Sequence, residues 1–151
     1  MHWTTHVLSG AATGYLIEKP IPAFIVGLAS HIALDMVPHH DPETNAGYVI
    51  DSICGVSIFS LLFVHSRKTP TDCSLKSAIA GSLGAAIPDL ELLYKKAFKL
   101  EEENLFFPTH NNTLPHMESG NLFSKISQAM LLILLFAAII VRKKREEIKK
   151  F

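Results

Sequence analysis

The chain has little of what marks many familiar protein classes. It contains only two cysteines, Cys54 and Cys73, which form neither a disulfide framework nor a Cys-x-x-Cys metal site. Charged residues make up 19% of the chain and the formal net charge is zero, so bulk charge does not indicate nucleic-acid binding. The sequence has no GxSxG elbow, no Walker loop and no HExxH motif. No basic segment precedes the first apolar stretch, so we expect no cleavable signal peptide.

What the chain has in quantity is apolar residues, which make up 48% of it and give a mean hydropathy of +0.26. The strongest apolar segment is 122–141, which as a helix is long enough to cross about 30 Å of hydrocarbon. A basic cluster, 142–145, follows it directly. We therefore expect an all-α integral membrane bundle of about five transmembrane helices, formed by 1–151 as one domain with 142–151 as a basic cytoplasmic tail. The four weaker segments are 2–17, 21–37, 46–64 and 75–94. In the first of them, the four-residue spacing of Gly10 and Gly14 predicts a close contact with another helix.

The distribution of basic residues agrees with this arrangement. With the C-terminal cluster in the cytoplasm, ten of the 14 lysines and arginines fall on the cytoplasmic side and four on the outer side. The same threading places seven of the eight histidines on the outer side, with His65 as the exception. We therefore expect one site at the outer boundary of the plasma (inner) membrane. A soluble helical bundle with one membrane anchor is the alternative architecture.

Polar residues interrupt the end of the second apolar segment. His31 and Asp35 are four residues apart, so a helix places both on one face. His39, His40 and Asp41 follow directly. Such groups are costly in an apolar setting unless they are paired, bound to metal or in contact with water. A hydrogen bond between imidazole and carboxylate would explain the first pair alone, but the whole cluster predicts metal ligands.

Further candidates lie near the outer ends of the other segments. His2 and His6 repeat the four-residue spacing, and Asp89 follows Pro88, whose effect on a helix can aim this carboxylate inward. Imidazole and carboxylate ligands suit zinc, with manganese or iron as alternatives, and so many ligands could hold two metal ions. We expect the metal ligands to be His6, His31, Asp35, His39 and Asp89, and the catalytic acid or base to be His110 or Asp41. Membership of the site is left open for His2, His40, Asp51, Glu91 and His116.

Four short motifs carry a resemblance to a known family. They are His6, the segment 27–35 (GLASHIALD), the turn 87–91 (IPDLE) and the pair Thr109-His110. Together they resemble the YdjM-like family of small membrane-bound metal-dependent hydrolases, although Glu91 stands where that family usually has a second Asp and the motif order is reversed. More distantly, the spacing from 31 to 39 is similar to the ligand spacing of bacterial zinc-dependent phospholipase C. The resemblance implies metal-dependent hydrolysis, of phosphoesters, at a membrane.

We therefore expect a membrane-bound hydrolase of the phosphoesterase or phospholipase type that acts on a membrane lipid or a lipid-linked phosphoester. At the membrane boundary, a headgroup could reach the metal while its tails stay in the bilayer. A metal-ion transporter or sensor is the competing interpretation, and it would need ionisable residues in both halves of the membrane. A third is a membrane interaction protein with a structural metal, whose site would be closed by four ligands.

Overall fold

Five α-helices make up the fold of this chain, which we describe from a computed structural model that covers residues 2–42, 44–99, 105–111, 113–117, 119 and 122–148. Each of the five apolar segments forms a helix, so the predicted all-α class is confirmed. Residues 142–148 of the predicted basic tail continue the last helix, and 149–151 lie outside the described residues. The helices are α1 (Trp3–Ile17), α2 (Pro20–Asp35), α3 (Asn45–Lys68), α4 (Cys73–Phe98) and α5 (Leu122–Ile148).

Local chemistry sets the starts of three helices. Pro20 lies in the first turn of α2, where the N–H that proline lacks would have no partner within the helix. Thr44 caps α3, because its side chain accepts the N–H of Gly47 at 3.0 Å. Asp72 caps α4 by accepting two backbone N–H groups of the first turn. These residues determine where α2, α3 and α4 begin.

The N-terminus of α1 is capped by a residue of another helix. His2, which precedes α1, makes no side-chain cap hydrogen bond. Instead, the Asp51 carboxylate in α3 accepts the backbone N–H of Trp3 at 2.6 Å and that of Thr4 at 3.1 Å. The backbone carbonyl of Asp51 also accepts the Thr4 hydroxyl at 2.8 Å. Asp51, whose place in the site was left open, therefore fastens α3 to the start of α1.

Substitution Asp51→Ala is expected to lower the free energy of unfolding by about 1–2 kcal/mol, because two N–H groups at the start of α1 lose their acceptor. Thermal unfolding in detergent, followed by circular dichroism, measures this effect. Ser52→Ala removes a side-chain oxygen at the exposed neighbouring position and serves as the control. Equal stability of the two variants would show that the contact of Asp51 with the start of α1 does not contribute to the free energy of unfolding.

Helices α1, α2 and α4 form the centre of the bundle, and glycines let them approach closely. A methyl group added at Gly10 or Gly27 would collide with the backbone carbonyl of Gly81, and one at Gly14 with that of Ser77. Backbone atoms cannot turn away as a side chain can, so these positions require glycine. The close helix contact predicted at Gly10 and Gly14 is confirmed, and its partner is α4.

Large apolar side chains lie mainly on the outside of the bundle. Ile21 is 77% exposed, Leu61 70% and Ile140 66%, whereas small side chains such as Ala23 and Ala85 are fully buried. Within the described part of the chain, α3 is the one helix long and apolar enough to cross a membrane. Its most apolar 18-residue stretch has a mean hydropathy of 1.9, and 11% of that stretch is buried inside the protein. The arrangement with five membrane spans stays a prediction.

Candidate metal centre

Ionisable side chains converge at one end of the bundle, where α1 starts and α2 ends. Three helices and two connections supply them, so the cluster depends on the packing of α1 and α2 against α4. All seven side chains predicted for the site lie here, together with two whose membership was left open. They are His6 from α1, His31 and Asp35 from α2, His39 and Asp41 from the α2–α3 connection, Asp89 and Glu91 from α4, and His110 and His116 from the α4–α5 connection.

Asp35, at the end of α2, is the centre of this cluster and its side chain is 1% exposed. Its Oδ1 lies 3.2 Å from Nε2 of His6, and its Oδ2 lies 3.1 Å from Nε2 of His31. The same Oδ2 lies 3.6 Å from Nδ1 of His116 and 3.8 Å from Nε2 of His110. The two carboxylate oxygens therefore face different imidazoles.

Backbone carbonyls orient two of the histidines. Nδ1 of His31 lies 2.8 Å from the carbonyl oxygen of Ala85, and Nδ1 of His39 lies 2.7 Å from that of Val37. Because a carbonyl oxygen only accepts, each Nδ1 carries a proton and donates it. This leaves Nε2 of each ring as the nitrogen that can bind a cation, and it faces Asp35 in the case of His31 and Asp41 in the case of His39. Nδ1 of His31 also lies 4.0 Å from Oδ2 of Asp89.

Several buried atoms of the cluster face one another without hydrogen bonds. Within the described residues, both ring nitrogens of His6, Oδ2 of Asp89 and Nδ1 of His110 make no hydrogen bond of normal geometry, although Nε2 of His6 lies 3.2 Å from Asp35 and Nδ1 of His110 lies 3.5 Å from Glu91. The rings of His6 and His31 are stacked, with 4.0 Å between their centroids. Buried polar groups are normally hydrogen-bonded. Nitrogen and oxygen atoms that converge without bonding to each other fit the surroundings of a metal ion.

In the part of the chain that the structure describes, the potential ligand atoms form three groups of three, and within each group all atoms lie within 4.8 Å of one another. The first group is His6, His31 and Asp89, the second is His31, Asp35 and His110, and the third is Asp35, His39 and His116. The first and third groups share no residue, so the side chains suffice for two cations. Each group combines imidazole with carboxylate, which suits zinc, manganese or iron.

Backbone hydrogen bonds join the two connections that carry part of the cluster. The N–H of His39 donates to the carbonyl of Met117 at 3.0 Å, and the N–H of Met117 donates to that of Asp35 at 2.9 Å. The N–H of Ser119 donates to the carbonyl of His39 at 2.7 Å. As a result, Nε2 of His116 lies 3.2 Å from Nε2 of the fully buried His39. The sequence alone does not show whether His116 belongs to the cluster, because only this pairing between distant segments brings it there.

Titratable side chains of the two connections shift each other's pKa values. The carboxylates of Asp35 and Asp41, each 3.6 Å from a ring nitrogen of His116, stabilise its charged form and raise its pKa to about 9. Burial alone would raise the pKa of Asp41. The neighbouring rings of His116 and His39 nevertheless hold this pKa well below its usual range. Burial lowers the pKa of His110, and the nearby His31 acts in the same direction. At neutral pH, Asp41 is therefore ionised beside a protonated His116, whereas His110 is neutral. A cation that binds His116 must displace its proton, because only the neutral imidazole is a metal ligand.

The residues predicted for the site differ in whether they belong to one of the three ligand groups. The five expected ligands all lie in the three groups, whereas His110, expected to be an acid or base, also lies among the ligand atoms of the second group. Asp41 lies 3.7 Å from His39 and 3.6 Å from His116. Among the described residues, His2 and His40 belong to none of the groups, and His2 instead lies 3.5 Å from Asp51.

Comparisons of this chain with protein-family models, curated proteins and solved structures gave no match. Inference about function therefore starts from the site and the sequence.

Proposed function

We propose that this protein is a membrane-bound, metal-dependent hydrolase that cleaves a phosphoester such as a phospholipid headgroup. The observation that carries the proposal is the presence of two separate ligand groups at one end of the bundle, each of which combines imidazole with carboxylate. Metal ions bound in such a centre supply a nucleophilic water at neutral pH and neutralise charge on a phosphate. Zinc suits these ligands best, with manganese or iron as alternatives.

Asp35 would join the two cation positions. Its Oδ1 faces His6 of the first group, and its Oδ2 lies 3.6 Å from His116 of the third. A carboxylate can bind one ion through each oxygen, so this side chain suits a bridging role. His31 and His39 would present Nε2 to the ions, because their Nδ1 atoms are engaged by backbone carbonyls.

Of the two residues expected to move protons, His110 suits general-base catalysis better than Asp41. A general base works best when its pKa lies near the working pH. The pKa of Asp41 is held far below that range by its histidine partners, so Asp41 is suited to orienting His39 and His116. His110 is neutral at pH 7 and can accept a proton. Because its Nε2 also lies among the ligand atoms of the second group, His110 would be the base when the first and third groups hold the metal, and a ligand instead of a base when the second group holds it.

The exterior of the bundle supports a membrane location. Large apolar side chains cover it, and α3 is long and apolar enough to span a bilayer. Exposed apolar side chains also flank the metal centre, since Met36 follows Asp35 and Met117 follows His116. A substrate with a polar headgroup and apolar tails fits such surroundings. The distribution of lysine and arginine favours the plasma (inner) membrane orientation with the C-terminus in the cytoplasm.

The other end of the bundle favours hydrolysis over ion transport. There, an apolar cavity of about 160 Å³ lies between α1, α3, α4 and α5. An ion pathway would need polar ligands in this half as well. The side chains that line the cavity include no histidine and no carboxylate: they are Leu8, Ala11, Ala12, Tyr15, Ile58, Leu62, Leu75, Ala78, Phe136 and Ile139.

The proposal is tested by metal content and phosphoester hydrolysis of the protein purified in detergent. We expect about two metal ions per chain after loading with zinc or manganese. Phospholipids in mixed micelles, or bis-p-nitrophenyl phosphate, should be hydrolysed, and a chelator should stop the reaction until metal is returned. A protein that binds no metal under these conditions, or binds it without any phosphoester hydrolysis, would overturn the proposal.

Histidine variants test the assignment to two positions. His6→Ala should lose about one metal ion per chain and His116→Ala the other, because these side chains belong to groups that share no residue. His65→Ala is the matched control, since this exposed histidine lies near the far end of α3 and should leave both ions bound. If either variant loses all metal while the other loses none, a single cation position would replace the pair.

A further inference from the structure

Glu91 binds the backbone of the α4–α5 connection, which carries His110 and His116. Its carboxylate, in the second half of α4, accepts the backbone N–H of Phe106 and also that of Phe107, the latter at 3.0 Å. Both N–H groups are thereby held by a single side chain. The connection is thus fixed to α4 at Phe106 and Phe107.

The residues that follow form a tight turn that ends at His110. The N–H of His110 donates to the carbonyl of Phe107 at 3.0 Å, and so does the N–H of Asn111. Side-chain Nδ2 of Asn111 donates to the carbonyl of Leu105 at 3.1 Å, which closes the turn. Because the turn begins at the residues that Glu91 binds, the position of His110 depends on this carboxylate.

Glu91 also faces the His110 ring itself. Nδ1 of His110 lies 3.5 Å from Oε2 of Glu91. On the other side of the ring, Nε2 lies 3.4 Å from Nε2 of His31 and 3.8 Å from Oδ2 of Asp35. A carboxylate behind one nitrogen of an imidazole whose other nitrogen faces a cation is the usual means of orienting a histidine ligand.

We propose that Glu91 is a positioning residue, which holds the 105–111 turn and directs Nε2 of His110 towards the metal centre. This inference rests on the proposed metal centre and adds a residue that the ligand groups omit. Asp89, two residues earlier on α4, approaches His31 and His110 directly and belongs to the first group. The longer side chain of Glu91 reaches the connection instead, so the two acidic residues of α4 have different tasks.

The test compares metal affinity of the full chain in detergent, measured with zinc in a competition titration and with cobalt by its visible absorption. Glu91→Gln keeps the side-chain length but removes the charge, and it should weaken binding about 10- to 100-fold and change the cobalt spectrum. Glu18→Gln is the matched control, because this exposed glutamate follows α1 at the other end of the bundle. It should bind both metals as the wild type does.

A double variant shows whether Glu91 acts through His110. If it does, Glu91→Gln should weaken binding little further once His110→Ala is present, because the oriented ring is already gone. Fully additive losses would overturn the proposal, as would wild-type affinity and spectrum in Glu91→Gln. Absence of metal from the wild-type protein would instead remove the proposed function and this inference together.

Folding of the variants is checked separately. Chymotrypsin cleavage after Phe106 and Phe107 reports whether the turn remains attached to α4, and circular dichroism reports the helices. If Glu91→Gln does not fold, Glu91→Asp keeps the charge on a shorter side chain and is measured in the same way. Its affinity should also fall, because the shorter carboxylate cannot reach both the turn and the ring, and unchanged affinity would contradict the proposal.

Discussion

Replacing Asp35 with Asn is expected to weaken metal binding about 100- to 5,000-fold and to abolish the proposed phosphoester hydrolysis, the largest functional effect we foresee from one side chain. The carboxylate is 1% exposed and lies within 4 Å of His6, His31, His110 and His116. Removing the charged partner from a buried ionic contact costs about 3–5 kcal/mol, which corresponds to this change in affinity. An amide of the same shape also places an NH₂ group where an oxygen faced an imidazole.

A competition titration with zinc and the metal content of the purified variant measure the effect. Asp72→Asn provides the control, because it makes the same chemical change at the N-cap of α4, where Asn serves equally well. The control should keep both ions and full activity. Retention of metal and activity in Asp35→Asn would show that the site is not centred on this carboxylate, and loss of both in the control would show that the effect is one of folding.

The second large effect is expected from Gly81→Ala, which should lower the free energy of unfolding by about 3 kcal/mol or more. A methyl group here would collide with the carbonyl of Gly10 in α1 and would lie 3.1 Å from Cα of Gly14, which is tighter than an ordinary contact. The helices must move apart to make room, because no rotamer change removes a backbone atom. Since α1 carries His6 and α4 carries Asp89, the same movement should also weaken metal binding.

Thermal unfolding in detergent, with metal affinity as a second measurement, tests this expectation. Gly47→Ala is the matched substitution, because its new methyl group would meet a side-chain atom of Pro42 at 3.1 Å rather than a backbone carbonyl. In the first turn of a helix, Ala is also favoured over Gly. The control should therefore change stability by less than about 1 kcal/mol. Equal stabilities of the two variants would show that α1 and α4 are not in close contact.

Local patterns in the sequence were enough to locate the helices and the pair of residues at the centre of the ionisable cluster. Each apolar segment forms a helix, and the spacing of His31 and Asp35 predicted the contact that the structure shows at 3.1 Å. The glycines at 10 and 14 predicted a close helix contact. These features could be predicted because they depend on residues within a few turns of each other.

Contacts between distant segments could not be predicted. Asp51 caps a helix that starts 48 residues earlier in the chain, and Glu91 binds backbone atoms 15 and 16 residues later. Neither pairing leaves a pattern in the sequence, because any acceptor oxygen can bind a backbone N–H. For the same reason, His116 could not be distinguished from an incidental loop histidine until its connection paired with residues 35–39. The sequence showed which residues were available but not which of them meet.

The small side chains at the centre of the bundle also affect the thermodynamics of unfolding. The buried apolar residues are mostly alanines, whereas side chains such as Ile21 and Leu61 are already exposed in the folded chain. The heat-capacity change of unfolding depends chiefly on newly exposed apolar area. Unfolding of this chain should therefore have a smaller heat-capacity change than that of a water-soluble domain of equal length, and a stability that varies less steeply with temperature. Close backbone packing at the glycines of α1, α2 and α4 should therefore contribute more to holding these helices together than the burial of large apolar side chains does.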